Sequence, residues 1–201
     1  SQSYISVATT NATGIMPNND YDRYNFSFRN TTNFLNNKFI LDTSANYIIQ
    51  NDKNMVSQGQ YFNPLTSLYL FPRGEDFSDV AVYERYDDLS GVNTQYWPYG
   101  DLGGVSSQNP YWIMNRMNRE NDRRRYKLAA SLQYNIIEGL NVQGRVSIDN
   151  TESKYTEKFH AGTVGNFAGP KGRYKEENRL DRQVYADVLA NFNKTFNEFN
   201  V

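Results

Sequence analysis

Six acidic side chains could supply chemistry: Glu75, Asp76, Asp79, Glu84, Asp87 and Asp88. Two carboxylates that face each other across a cleft can hydrolyse a glycosidic bond. Acidic residues this dense in a polar loop are more often solvated, or bind a cation. His160 is the only histidine and there is no cysteine, which excludes a histidine-based triad and a multi-histidine or thiolate metal site. We predict no catalytic residue, no metal and no cofactor, and therefore no enzyme.

Aromatic side chains are concentrated between residues 61 and 112, which include both tryptophans of the chain. Aromatic rings stack on sugars and anchor protein interfaces, because they bury a large area at little cost in entropy. Five of them are predicted to contact a ligand or a protein partner: Tyr96, Trp97, Tyr99, Tyr111 and Trp112. The alternative is that these rings pack the segment against itself and against the rim of a neighbouring sheet.

Five arginines lie between residues 116 and 125: Arg116, Arg119, Arg123, Arg124 and Arg125. Clustered arginines can indicate nucleic-acid binding. Glu120 and Asp122 interrupt this cluster, and the net charge of the chain is -1, so no nucleic-acid partner is predicted. The cluster is better interpreted as the end of a strand near lipid phosphates, or as a solvated patch.

Six stretches alternate apolar and polar residues, and these elements must position the side chains above. In the clearest run, Tyr24, Phe26 and Phe28 alternate with Arg23, Asn25, Ser27 and Arg29. Successive side chains of a strand point to opposite faces, so each stretch predicts a strand with one apolar and one polar face. The six predicted strands cover residues 2–11, 21–34, 39–50, 127–136, 140–149 and 183–193.

Connections between these strands alternate in length. Residues 35–38 and 137–139 are tight hairpins, whereas residues 12–20, 51–122 and 155–173 are longer. Outer-membrane barrels have short turns on one side and long loops on the other. In such a barrel the polar face lines a water-filled lumen, and the residues predicted to face it are Arg23, Arg29, Asp42, Arg145 and Asp149. In a soluble sandwich the same face is the solvated exterior.

Composition limits the other classes. The chain has 201 residues, of which 38% are hydrophobic and 15% aromatic. The sequence has no run of about 18 apolar residues, so no transmembrane helix is predicted. The first ten residues lack the basic start and apolar centre of a signal peptide, so we expect an internal piece of a longer exported protein.

Several stretches resemble SusC/RagA-type TonB-linked outer-membrane proteins. They are residues 4–11 (YISVATTN), 14–26 (GIMPNNDYDRYNF), 108–112 (QNPYW), 115–116 (NR), 123–126 (RRRY) and 140–146 (LNVQGRV). The resemblance implies an all-β chain of about six antiparallel strands within a transmembrane barrel of roughly 22 strands. Residues 1–50 would form strands one to three, residues 51–122 a long extracellular loop, and residues 123–201 strands four to six. A medium extracellular loop is expected near residues 156–173, and Val201 lies where a further strand would begin.

The resemblance also implies partners and a function. Members of this family import oligosaccharides or peptides across the outer membrane, with a SusD-like surface lipoprotein over the barrel and energy from TonB. The partners implied are the rest of the barrel and its plug, that lipoprotein, TonB through parts outside this chain, outer-membrane lipid, and a glycan or peptide ligand. Because six strands of this width do not close, the first and last strands are expected to be unpaired within the chain.

Three functions remain open on the sequence alone. A transporter segment requires that its apolar strand residues have no protein atoms over them: Tyr24, Phe26, Phe28, Leu128, Leu132, Val142 and Val146. A soluble β-sandwich that binds carbohydrate through the loop aromatics requires those residues to be buried against a second sheet. A β-rich glycan hydrolase requires a pair of carboxylates within residues 75–88 that face each other.

Overall fold

A single sheet of six antiparallel strands dominates the computed structural model. The structure describes residues 1–57, 59, 61–100, 107–193, 195–196 and 199–200. The strands of this sheet are β1 (Gln2–Thr13), β2 (Asp20–Phe34), β3 (Phe39–Lys53), β6 (Met117–Ile137), β7 (Leu140–Phe159) and β8 (Arg173–Phe192), and they are neighbours in that order. The predicted all-β class, with six antiparallel strands, is confirmed.

The two tight hairpins form where they were predicted. Leu35, Asn36 and Asn37 all have positive φ angles, and the amide of Lys38 donates to the carbonyl oxygen of Leu35 at 3.1 Å. Asparagine tolerates the left-handed region better than most residues. The β6–β7 turn contains Gly139, with φ of 83°, which a residue without Cβ adopts without strain.

Strands β6, β7 and β8 extend beyond their predicted ends. β6 begins at Met117, β7 continues to Phe159, and β8 begins at Arg173 rather than near residue 183. Most of the additional residues are polar on either face, so hydrophobic alternation does not reveal them. Ion pairs between neighbouring strands stabilise this part, with Lys158 2.6 Å from Glu120 and Lys154 3.1 Å from Glu176.

The sheet is open within the described part of the chain. Strands β1 and β8 have one neighbour each, as predicted for the first and last strands. A separate pair of two-residue strands, β9 (Thr195–Phe196) and β10 (Phe199–Asn200), follows β8. Val201, where a further strand was expected to begin, lies outside the described residues.

No second layer covers the apolar face of the sheet among the described residues. Phe26 and Leu132 at its centre are each 43% exposed, and Tyr24, Phe28, Leu128 and Val146 are exposed to similar degrees. Val142 is half-buried. A β-sandwich would bury these side chains between two sheets, and the structure lacks that arrangement.

The segment between β3 and β6 is folded. It contains helix α1 (Pro64–Leu70), a 3-10 helix (Phe77–Ala81), the hairpin of β4 (Glu84–Asp87) and β5 (Val92–Gln95), and helix α2 (Pro110–Arg116). Both α-helices begin with an asparagine at the N-terminal capping position, followed by proline. This start is favourable because the asparagine side-chain oxygen accepts from an otherwise unpaired amide.

We call residues 61–100, 107–116 and 160–172 the cap. None of the described helices has the length and apolar character needed to cross a bilayer.

Candidate functional site

An apolar belt crosses all six strands on one face of the sheet. The strand register aligns Val7, Phe26, Tyr47 and Tyr126 in one row across β1, β2, β3 and β6. A lower row aligns Ala130, Val146 and Ala186 across β6, β7 and β8. The belt comprises Ile5, Val7, Tyr24, Phe26, Phe28, Phe34, Phe39, Leu41, Ala45, Tyr47, Ile49, Tyr126, Leu128, Ala130, Leu132, Tyr134, Val142, Val146, Ile148, Val184, Ala186, Val188 and Ala190.

The height of the belt matches that of a hydrocarbon layer. On β6 it extends from Tyr126 to Tyr134, within a strand of 21 residues. A tilted strand needs roughly 9–11 residues to cross the hydrocarbon core of a membrane. The rest of β6, from Asn118 to Arg125, is polar on both faces and extends beyond the belt.

Aromatic rings lie at both ends of the belt. Near the tight hairpins, Phe39 stacks on Phe34 with ring centroids 5.3 Å apart and on Tyr134 at 4.6 Å. At the opposite end, Tyr47 pairs with Tyr126, one row from Tyr24. Aromatic rows at two levels are typical of proteins that contact both membrane–water interfaces.

The opposite face of the sheet carries ion pairs between neighbouring strands. Arg29 lies 2.8 Å from Asp42, Arg125 donates to both carboxylate oxygens of Asp149 at 2.8 and 2.5 Å, and Arg145 pairs with Asp187. All five residues predicted to face a lumen lie on this polar face, since the register alternates them with the belt. The partnership of Arg125 with Asp149 was not foreseen, because it joins two strands diagonally.

The arginine cluster is divided between the two faces. Arg123 and Arg125 lie on the polar face, whereas Arg124 lies on the belt face, directly opposite Ile49. Arg119 lies 5.6 Å from the ring centroid of Phe62, and Arg116 belongs to the cap. The sequence cluster therefore does not form one basic surface.

The cap packs over the polar face at one end of the sheet. Its core contains Trp112, Ile113 and Ala168 together with Met117 of β6 and Phe159 of β7. Met117 and Phe159 pair with each other and lie ten residues from Lys127 and Asp149, so the alternation puts all four on the polar face. The cap therefore covers the end of the polar face that lies farthest from the tight hairpins.

Hydrogen bonds from two buried side chains hold the parts of the cap together. The buried side chain of Asn109 accepts from the amide of Tyr111 at 2.9 Å and donates to the carbonyl oxygens of Val80 and Tyr96 at 2.9 and 3.2 Å. Gln108 donates to the carbonyl oxygen of Tyr61 at 2.7 Å. These two residues are fully buried, so the Gln-Asn-Pro stretch organises the cap. The Asn-Pro pair is the signal in the sequence that predicts a helix start there.

Four of the predicted contact residues lie in three separate arrangements. Trp97 packs edge-on against Tyr99 at 5.2 Å and its indole N–H donates to Ser107 Oγ at 2.9 Å. Tyr111 stacks on Tyr83 at 6.4 Å. Tyr96 lies under the guanidinium of Arg85, 3.3 Å from the ring centroid. Ligand contact by these partly exposed rings stays a prediction.

Trp112 differs from the other four candidates. It is 0% exposed, and its indole N–H donates to Thr163 Oγ1 at 3.1 Å. A ring with no free surface cannot stack on a sugar or contact a protein while the cap is folded. Trp112 therefore packs the cap against the sheet, as in the alternative interpretation, and is not a contact residue.

The acidic residues of the cap stabilise local structure. Asp76 accepts from the amide of Ser78 at 2.9 Å, and this bond lowers the pKa of its carboxyl. Asp87 accepts from the amide of Ser90 at 3.1 Å, and the hydrogen bond with Ser90 lowers its pKa in the same way. A glycosidase acid needs a raised pKa, so these two carboxyls do not suit that role.

Glu84 joins strand β4 to the end of helix α2. It accepts from Arg116 Nε at 2.8 Å and Nη2 at 2.9 Å, and this hydrogen bonding lowers the pKa of Glu84. A lowered pKa means that the pair adds stability above the ordinary pKa of glutamate and loses it as the pH falls through the lowered value. No cluster of three or more potential metal-binding Asp, Glu or His side chains occurs among the described residues.

Comparisons with known proteins do not assign the chain to a family. No family model matches its sequence, and no curated protein is similar to it. The two faces of the sheet and the cap are therefore the features from which a function can be inferred.

Proposed function

We propose that this chain is part of the wall of an outer-membrane β-barrel, in a TonB-dependent transporter of the SusC/RagA type. The observation that carries the proposal is the apolar belt, which crosses six strands without protein over it. Soluble proteins rarely expose continuous apolar patches larger than a few hundred Å². In lipid the same belt is at its lowest free energy, because the hydrocarbon of the bilayer covers it.

The open edges support a larger barrel. Strands β1 and β8 each leave one row of backbone amides and carbonyls without a partner among the described strands. Each unpaired backbone group in hydrocarbon costs several kcal/mol, so a membrane sheet must close on itself. The strands that close it would come from the rest of the barrel, which would also hold the plug.

The polar face then borders a water-filled channel. Its arginine–aspartate pairs need the solvation that a lumen provides, because an ion pair transferred into hydrocarbon loses more solvation energy than it recovers. The cap would lie over the extracellular mouth and the tight hairpins would face the periplasm, following the usual asymmetry of these barrels.

Substrate and partners follow from the resemblance to the family. The transporter would import oligosaccharides or peptides, with a SusD-like lipoprotein over the mouth and TonB supplying energy. The exposed rings of the cap would be available to ligand or lipoprotein. A carbohydrate-binding sandwich is the less favoured function, because it needs Phe26 and Leu132 inside a two-sheet core.

Labelling of intact cells tests the proposed location and orientation. The chain has no cysteine, so an introduced cysteine is the only thiol in it. Tyr69 in the cap is 86% exposed, and Tyr69→Cys in the complete barrel should react with a membrane-impermeant maleimide on intact cells. Asn36→Cys in the β2–β3 hairpin should react only after the outer membrane is permeabilised. Equal reaction of the two thiols in intact cells would contradict the proposal.

A further inference from the structure

Outside the area that the cap covers, the polar face carries three cations that have no carboxylate within ion-pair distance in the described part of the chain. Arg23 donates to Asn25 at 3.1 Å and Arg123 donates to Ser153 Oγ at 3.4 Å, and both acceptors are neutral. Lys127 lies opposite Asp149 in the register, but that carboxylate is held by Arg125, and the Lys127 side chain forms no ion pair or hydrogen bond with a described residue. Arg29, Arg125 and Arg145, by contrast, each hold an aspartate. These three positive charges are therefore available to pair with a negatively charged ligand.

The three cations lie at the corners of a right angle on the sheet. The register aligns Arg23, Gln50 and Arg123 in one row across β2, β3 and β6. Two strand spacings put the backbones of Arg23 and Arg123 about 10 Å apart, and four residues along β6 put Lys127 about 13 Å from Arg123. A ligand with repeated negative charges at such intervals could pair with all three.

A shallow depression lies beside Lys127. Its volume is about 310 Å³, and its lining includes Asp42, Lys127, Ala129, Ser131, Ser147 and Tyr185. Small side chains on β6 and β7 form its floor, and Arg145 also borders it. The hydroxyls of Ser131 and Ser147 form no hydrogen bond within the described residues, so they are free to donate to and accept from a ligand.

We propose that this face binds an acidic oligosaccharide, with sugar carboxylates paired to Arg23, Arg123 and Lys127 and sugar hydroxyls bonded in the depression. Cations favour carboxylates through charge-assisted hydrogen bonds. Free serine hydroxyls beside an exposed tyrosine ring match the hydroxyls and flat faces of a sugar better than they match a peptide backbone. The inference rests on the proposed function, because it requires the polar face to border an aqueous channel.

Calorimetry on the complete, detergent-purified barrel tests this inference with tetragalacturonate as the probe. Binding should weaken about tenfold for Arg123→Gln and again for Lys127→Gln, because each substitution removes one charge-assisted hydrogen bond. Arg124→Gln is the matched control: it removes the same charge from the next residue, on the belt face, and should leave the affinity unchanged. The methyl-esterified tetramer has the same length without charge and should bind at least tenfold more weakly.

Three results would overturn the inference. They are equal affinity for the charged and esterified tetramers, equal losses for Arg123→Gln and Arg124→Gln, and binding of tetraglutamate as tight as that of tetragalacturonate. The last result would assign the face to acidic peptides. If the maleimide labelling follows the expected pattern and tetragalacturonate does not bind, only this inference fails. If the labelling pattern itself fails, the proposed function fails with it.

Discussion

Trp112→Ala should destabilise the cap by about 3–5 kcal/mol, the usual effect of truncating a fully buried tryptophan. The substitution leaves a cavity between α2 and the ends of β6 and β7, and it leaves Thr163 Oγ1 without the indole donor. Hydrogen exchange on the complete barrel measures this directly. Amides of residues 109–116 and 160–168 should lose protection, while those of the belt strands keep theirs.

Trp97→Ala is the matched control for that experiment. Trp97 is half-buried and contacts Tyr99 and Ser107 at the side of the cap. Its removal should cost about 1 kcal/mol, the usual value of one hydrogen bond. Equal losses of protection in the two variants would contradict the assignment of Trp112 to the core of the cap.

In the proposed barrel, Leu132→Arg should lower stability in lipid by about 2–4 kcal/mol, the effect of an arginine at the bilayer midplane on the lipid face. Leu132 lies near the middle of the belt on β6, opposite Leu41. Urea unfolding of the complete barrel in lipid vesicles gives the difference in the free energy of unfolding.

Gln133→Arg provides the comparison for Leu132→Arg. Gln133 is the next residue on β6 and lies on the polar face beside Asn135, where an added guanidinium would remain in water. Its expected effect is within about 0.5 kcal/mol of zero, as for most surface substitutions. A larger loss for Gln133→Arg than for Leu132→Arg would reverse the assignment of the two faces.

Sequence patterns predicted the sheet well because side chains alternate strictly with a period of two. The run around Phe26 and the turn at Asn36 fixed β2, β3 and their hairpin with little ambiguity. The same signal failed beyond the belt, since residues such as Glu120 and Lys158 are polar on either face and extend β6 and β7 through ion pairs instead. Where both faces meet water, hydrophobicity carries no information on strand ends.

The cap was less predictable because its fold depends on contacts distant in sequence. Nothing local distinguishes Trp112, which is buried by Phe159 and Ala168, from Trp97, which remains half-exposed. The sequence does not distinguish Glu84 from the other five acidic residues of this segment, and only the fold shows that it pairs with Arg116. Composition identifies an aromatic, acidic segment, but only the fold shows which of its residues are buried, which form ion pairs and which remain exposed.

The surroundings of the belt are the central claim, and a spin label at two adjacent positions measures them. In the complete barrel in lipid vesicles, a label on Leu132→Cys should collide with oxygen dissolved in the bilayer and be protected from a water-soluble nickel complex. A label on Gln133→Cys should be reached by the nickel complex instead. Nickel accessibility at position 132 equal to that at position 133 would show that water or protein, rather than lipid, covers the belt, and would contradict the account.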